Sequence, residues 1–165
     1  MTRVHAPGEI TVRDASAADV DRIAPLVARQ PLLVRYGVGT DALMRNLLGA
    51  IDRHEDLLVA ETRPPESTAV PVGMAWFLRD GTFAHGGYLR LIALAPGSEG
   101  RGVGGLLLDE VERRTRERSR FLFLLVSRHN DGARRFYTRR GYAEVGTLDA
   151  VLKPDIDEVI LWKRL

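Results

Sequence analysis

A single α/β domain built on a mixed sheet is the fold class this sequence predicts, and three observations carry it. Runs of apolar, β-compatible residues are interleaved with segments whose apolar residues recur at helical spacing. One such run, Tyr88 to Leu94, passes into a glycine-rich turn that opens a helix. A later run, Phe121 to Val126, is nearly all apolar, as expected of a strand covered on both faces. Together they give the order β-α-α-β-β-β-α-β-α-β-β.

Residues 1–9, with Pro7 and Gly8, read as a loose leader, leaving 10–165 as the domain. Ile10 to Arg13 is a short strand. Ser16 caps the first helix, with Asp19 three residues on in a variant of the capping box. Val20, Ile23, Leu26 and Val27 form its apolar stripe, and Pro25 should kink or shorten it. Gln30 to Gly39 is a connection, and a second helix runs from Asp41 to about Arg53 on Leu43, Leu47, Leu48 and Ile51. Leu57 to Glu61 and Val70 to Leu78 are antiparallel strands joined through Pro64-Pro65. Arg79 to Thr82 reads as a turn, followed by a loop to Gly87 and the strand Tyr88 to Leu94. The next helix should reach about Arg118, its late arginines matching the negative end of its dipole. After Phe121 to Val126, Asn130 caps a short helix that Gly141 ends. Tyr142 to Val145 and Glu158 to Trp162 close the sheet, separated by a long loop from Gly146 to Asp157.

The 165 residues suffice for one well-buried core. The chain has no cysteine, which excludes disulfides, thiolate metal sites and a cysteine nucleophile. The net charge is +2, too small an excess to indicate nucleic acid. No apolar run is long enough to span a membrane, and the N-terminus lacks a signal-peptide layout, so the expected location is cytoplasmic.

The residues from Leu94 to Leu107 hold the strongest local signal. Gly100, Gly102, Gly104 and Gly105 leave the main chain nearly bare at the start of a helix, where free N–H groups and the dipole favour a phosphate or pyrophosphate. A nucleotide-triphosphatase loop is excluded because Leu106, not Lys-Ser or Lys-Thr, follows Gly105. Gly100, Gly102 and Gly105 do satisfy Gly-x-Gly-x-x-Gly. A dinucleotide turn is tighter than Pro96 to Glu99 allows, however, and Phe121 to Val126 ends without the ribose-binding acid.

A third design fits better. Glu99-Gly100-Arg101-Gly102-Val103-Gly104 resembles the (Gln/Arg)-x-x-Gly-x-(Gly/Ala) signature of the GNAT superfamily of acyl-CoA-dependent N-acyltransferases, with Glu99 a departure in the first position; either Arg101 supplies the missing cation or the loop's backbone suffices. The segment from Asn130 to Tyr142 resembles the family's second motif, Asn-x-x-Ala-x-x-(Phe/Leu)-Tyr-x-x-x-Gly-(Phe/Tyr), at every position. Ala133, Phe136 and Tyr137 share one helix face at i, i+3 and i+4.

The resemblance covers nearly the whole chain and implies a GNAT-type, mostly antiparallel central sheet split near Leu94 and Phe121–Val126. It implies acetyl-CoA as co-substrate, paired along its pantetheine by the backbone of Ile92, Ala93 and Leu94. It places the diphosphate on Glu99, Gly100, Arg101, Gly102, Val103, Gly104 and Gly105, with Asn130 and Ala133 along the cofactor. Tyr137 is the expected general acid, a phenol able to protonate the departing thiolate. The acid that some relatives place five residues before the motif asparagine is Leu125 here. His85, Glu61 and Asp149 are candidate bases, an ordered water chain would serve as well, and none is singled out. Tyr36 is a candidate acceptor contact. Arg128, Arg134, Arg135, Arg139 and Arg140 surround the second motif, where one of them would pair with the 3′-phosphate. Arg90, in an apolar strand, needs a partner if buried. The acceptor is not legible from the residues: a small amine, an amino acid, an antibiotic and a peptide N-terminus all remain open. Exposed strands near the C-terminus leave a homodimer open. The rival readings are a catalytically weak acyl-CoA-binding regulator and, more remotely, a dinucleotide enzyme.

Overall fold

The computed structural model describes residues 10–63, 68–83 and 85–165. The expected leader, residues 1–9, and Pro64-Pro65 lie outside them. Seven strands form a mixed sheet in the order β1-β2-β3-β4-β5-β7-β6. They are β1 (Ile10–Asp14), β2 (Asp56–Thr62), β3 (Val70–Thr82), β4 (Gly86–Leu94), β5 (Phe121–Ser127), β6 (Ala143–Lys153) and β7 (Ile156–Arg164). The helices are α1 (Ala17–Val27), α2 (Pro31–Tyr36), α3 (Thr40–Asp52), α4 (Val103–Thr115) and α5 (Asp131–Arg139). β4 and β5 run parallel, paired from Gly87↔Leu122 to Leu89↔Leu124. β1–β2, β2–β3, β5–β7 and β6–β7 are antiparallel.

Two compact units divide the chain. The first comprises Met1–Phe77 and Leu91–Val111. Its core is the stripe predicted for α1 and α3: Val20, Ile23, Val27, Leu43 and Leu47 bury against Met74, Trp76 and Ala93. Trp76 donates its indole N–H to Glu55 at 2.6 Å, so this ring belongs to the core. At the head of α1 the Asp19 carboxylate accepts from the Ser16 N–H and hydroxyl, both at 2.8 Å. Arg13 clasps that carboxylate through two bonds of 2.8 Å and reaches Glu61 at 2.9 Å. Hydrogen bonding from Arg13 is the main reason the Asp19 carboxyl lies well below the usual range. Pro25 falls in the last turn, and α1 ends at Val27.

The second unit comprises Leu78–Arg90 and Glu112–Leu165. Phe121 and Phe123 of β5 stack on Trp162 of β7, with ring centroids 5.2 and 6.0 Å apart. Beneath the other face of these strands, Glu112 gathers Lys163 at 2.9 Å and the Tyr142 hydroxyl at 3.0 Å. A buried carboxylate with two such partners has its charge and lone pairs satisfied, as burial requires.

Four expectations are corrected. The connection Gln30–Gly39 contains a helix, α2, because Pro31 at its first turn loses no needed N–H and Gly37, at φ +73°, ends it. Arg79 to Thr82 continue β3, and the chain turns at Phe83 instead. α4 ends at Thr115, three residues early. The long loop from Gly146 to Asp157 is a hairpin: β6 runs to Lys153, and Pro154-Asp155 makes the turn into β7.

Candidate active site

In the first unit the strand-to-helix turn forms as predicted. Gly97, Gly100 and Gly102 have φ of +80°, +73° and +82°, a backbone region that side chains other than glycine strain to enter. A Cβ at any of the three would meet nothing within 4 Å, so the space beside the loop is open. Val103, Gly104 and Gly105 form the first turn of α4, where helix geometry leaves N–H groups without an intrahelical acceptor. Open space, bare backbone and unpaired donors fit a diphosphate. Gly73 sets the loop in place. A Cβ there would stand 2.9 Å from Leu94, 3.0 Å from Val103 and 3.2 Å from the Ala93 carbonyl, so β3 reaches the end of β4 and the start of α4 only because this residue is glycine.

Glu99 behaves in a way its position alone did not reveal. Its carboxylate folds back to accept from the Gly97 N–H at 2.9 Å and from the Gln30 amide at 3.2 Å. Its own backbone N–H, then Gln30, holds this carboxyl below its usual range. The Gln30 amide also donates to the Leu94 carbonyl at 2.5 Å. Of the three backbone positions expected to pair with pantetheine, Leu94 thus already has one partner, and its carbonyl keeps a second lone pair. Arg101, also on the loop, is exposed and makes no hydrogen bond or ion pair among the described residues.

In the second unit, Asn130 caps α5 through its Oδ1, which accepts from the Ala133 N–H at 3.1 Å. Gly141, at φ +86°, ends the helix as expected. Tyr137 is 8% exposed, its ring edge-on to Phe136 at 5.1 Å and to Tyr142 at 5.4 Å. Burial pushes its phenol well above the usual range, so it stays protonated at neutral pH. The hydroxyl makes no hydrogen bond among the described residues. A protonated, uncommitted phenol can donate to a developing anion.

The other candidates sort by what they touch. Glu61 is taken by Arg13. Asp149 and His85 are exposed, and Arg90 is exposed rather than buried in its strand. Arg128 and Arg134 are engaged with Asp157 and with Asp131 and Glu144. Arg135 and Arg139 form no ion pair among the described residues, and with Arg134 and Thr138 of α5, Glu144 of β6 and Leu161 of β7 they line a cavity of about 450 Å³. Tyr36 is half-buried at the end of α2. Among the described residues no cluster could hold a metal ion, and no helix is long and apolar enough to cross a membrane.

The folds of several known proteins match this one. Ard1 from Thermoplasma volcanium superposes with a TM-score of 0.76 at 21% identity, covering 94% of this chain and 97% of its own. A ribosomal-protein-alanine N-acetyltransferase from Brucella melitensis gives 0.70 at 22%, covering 93% and 99%. YncA from Salmonella typhimurium, a structure with its cofactor acetyl-CoA, gives 0.71 at 18%, covering 94% of each chain. No curated protein matches the chain in sequence. The family model of the acetyltransferase (GNAT) family matches residues 28–142, which include the glycine loop, β5 and α5 entire. With both motifs inside that span, the chain belongs to the acetyltransferase (GNAT) family and is an acyltransferase.

Proposed function

We propose that the protein is an N-acetyltransferase that moves acetyl from acetyl-CoA to a primary amine by direct attack in a ternary complex, with residues 10–165 as its catalytic domain. The observation that carries this reading is Tyr137, a buried and protonated phenol whose hydroxyl is uncommitted, standing in a motif occupied at every position. Acetyl-CoA supplies the activated thioester. The protein's part is to hold and polarise it. The N–H groups from Gly100 to Gly105, with Arg101, bind the diphosphate. Backbone groups of Ile92 and Ala93, and the remaining lone pair of Leu94, pair with the pantetheine as a short strand would. Asn130 holds the start of α5, Ala133 leaves room beside the cofactor, and Tyr137 donates its proton to the departing sulfur. The acceptor class is a small amine or a peptide N-terminus. The Brucella protein of similar fold is by its name a ribosomal-protein-alanine N-acetyltransferase, which makes an alanine-started peptide the first acceptor to try.

One observation favours a second reading, a weakly catalytic acyl-CoA-binding regulator: Glu99 places a carboxylate on the loop at the position where the signature it resembles has glutamine or arginine. The two separate experimentally. Calorimetric titration with acetyl-CoA should give saturable binding, while NADH gives none. Thiol release from acetyl-CoA should then follow addition of at least one member of a panel of alkylamines, amino acids, aminoglycosides and alanine-started peptides. Binding without release by any member favours the regulator, and absence of binding rejects both.

A further inference from the structure

The base for this reaction is absent from the place where β5 would supply it, yet a carboxylate stands one strand away. β5 and β7 pair from Phe121↔Arg164 through Leu125↔Ile160 to Ser127↔Glu158. Residues directly opposite in a sheet project from the same face, and side chains alternate along each strand. Phe123, Leu125 and Ser127 therefore share a face with Trp162, Ile160 and Glu158, as the stacking of Phe123 on Trp162 bears out. Tyr88, opposite Phe123 on β4, and Arg90, two residues on, lie on that face as well. Pairing between β4 and β5 ends at Leu89↔Leu124. Beyond Leu124, the residues β5 offers to this face are Leu125 and Ser127.

Glu158 stands beside them and is 2% exposed. It acts on its surroundings: the Tyr88 phenol is raised first by burial, with the charge of Arg90 opposing and that of Glu158 adding. The groups that face Glu158 are thus Tyr88 and Arg90 from β4, Ser127 from β5 and Leu148, its register partner, from β6. On β7 itself the neighbouring acid, Asp157, projects from the opposite face and engages Arg128. A carboxylate buried in a sheet has to be partnered, as Glu158 is, and buried, partnered ionisable groups are frequent at functional sites.

Resting on the transferase reading above, we infer that Glu158 is the general base that takes the proton from the acceptor ammonium. One ammonium proton passes to the Glu158 carboxylate and from there to solvent. The freed nitrogen lone pair forms the C–N bond to the acetyl carbon as the C–S bond breaks. The sulfur leaves with the Tyr137 proton, and the second N–H proton, lost as the amide forms, restores the phenol. One proton is released overall.

The test compares wild type with Glu158→Gln, using acetyl-CoA and whichever amine of the panel gives the fastest thiol release. In wild type the rate should level off at a pH well below the ammonium pKa, since the enzyme deprotonates its substrate. In Glu158→Gln it should fall about a hundredfold at neutral pH and climb about tenfold per pH unit without levelling, tracking free amine. Acetyl-CoA affinity, read by calorimetry, should stay the same. Should Glu158→Gln fail to fold, Glu158→Asp decides: a slower rate that still levels off supports the base, and an unchanged rate overturns it. A Gln variant with wild-type rate and pH profile overturns this inference alone. A wild type that releases no thiol with any amine overturns the transferase reading and this inference with it.

Discussion

Tyr137 and Tyr142 stand five residues apart, at the end of α5 and just beyond it, with rings in edge contact and nearly equal burial. Their hydroxyls differ. That of Tyr142 donates to Glu112 of α4, which Lys163 of β7 also holds, so its polar atom is spent on tying the end of α5 to α4. That of Tyr137 has no such partner among the described residues. The same division recurs on the glycine loop, where Glu99 is bound by Gly97 and Gln30 while Arg101 is uncommitted. Bound polar groups hold the backbone in shape, and the uncommitted ones are left to meet a ligand.

The largest effect should come from separating the two tyrosines. Tyr137→Phe should lower kcat about a hundredfold while leaving acetyl-CoA affinity unchanged, because only the proton donor is removed. Equal turnover in the two proteins would take Tyr137 out of the mechanism. Tyr142→Phe should do the reverse. It deletes a buried hydrogen bond to a carboxylate and should cost about 2 kcal/mol of stability, read as a lower denaturant midpoint at constant m, with turnover near wild type. A Tyr142→Phe protein as slow as Tyr137→Phe would abolish the distinction.

How far this was legible from the sequence follows from how local each determinant is. The glycine turn and the cap and stop of α5 depend on residues within one turn of each other, so Gly100, Gly102, Asn130 and Gly141 could be placed unaided. β6 could not. Most of its residues are exposed, which removes the period-two burial signal, and Pro154-Asp155 reads equally as loop or hairpin turn. The Asp80-Gly81 pair imitates a turn inside β3. The requirement for glycine at 73 arises from Leu94 and Val103, and the grip of Gln30 on Glu99 spans 69 positions. The same holds for Lys163 on Glu112, which packing of α4 on the sheet brings together, and for Glu158 beside Ser127, which strand pairing brings together. Along β5 itself the position five residues before Asn130 is Leu125, and the acid on that face comes from β7.

The loop should yield the smallest effects, of opposite sign. Arg101→Ala removes one exposed cation from a diphosphate site and should weaken acetyl-CoA binding by up to about fivefold, less at high salt. Glu99→Gln keeps a side chain that can still accept from the Gly97 N–H but removes the negative charge, so binding should tighten by a few-fold at most. Because the carboxyl of Glu99 is held below its usual range, it is ionised at neutral pH, and the wild type can approach the variant's affinity only as pH falls through that depressed value. Calorimetry on the two variants at low and high salt measures both shifts. If Glu99→Gln instead weakens binding as Arg101→Ala does, the carboxylate matters more for holding the loop's shape than for its charge, and the division between bound and uncommitted groups is sharper than the two loop residues alone suggest.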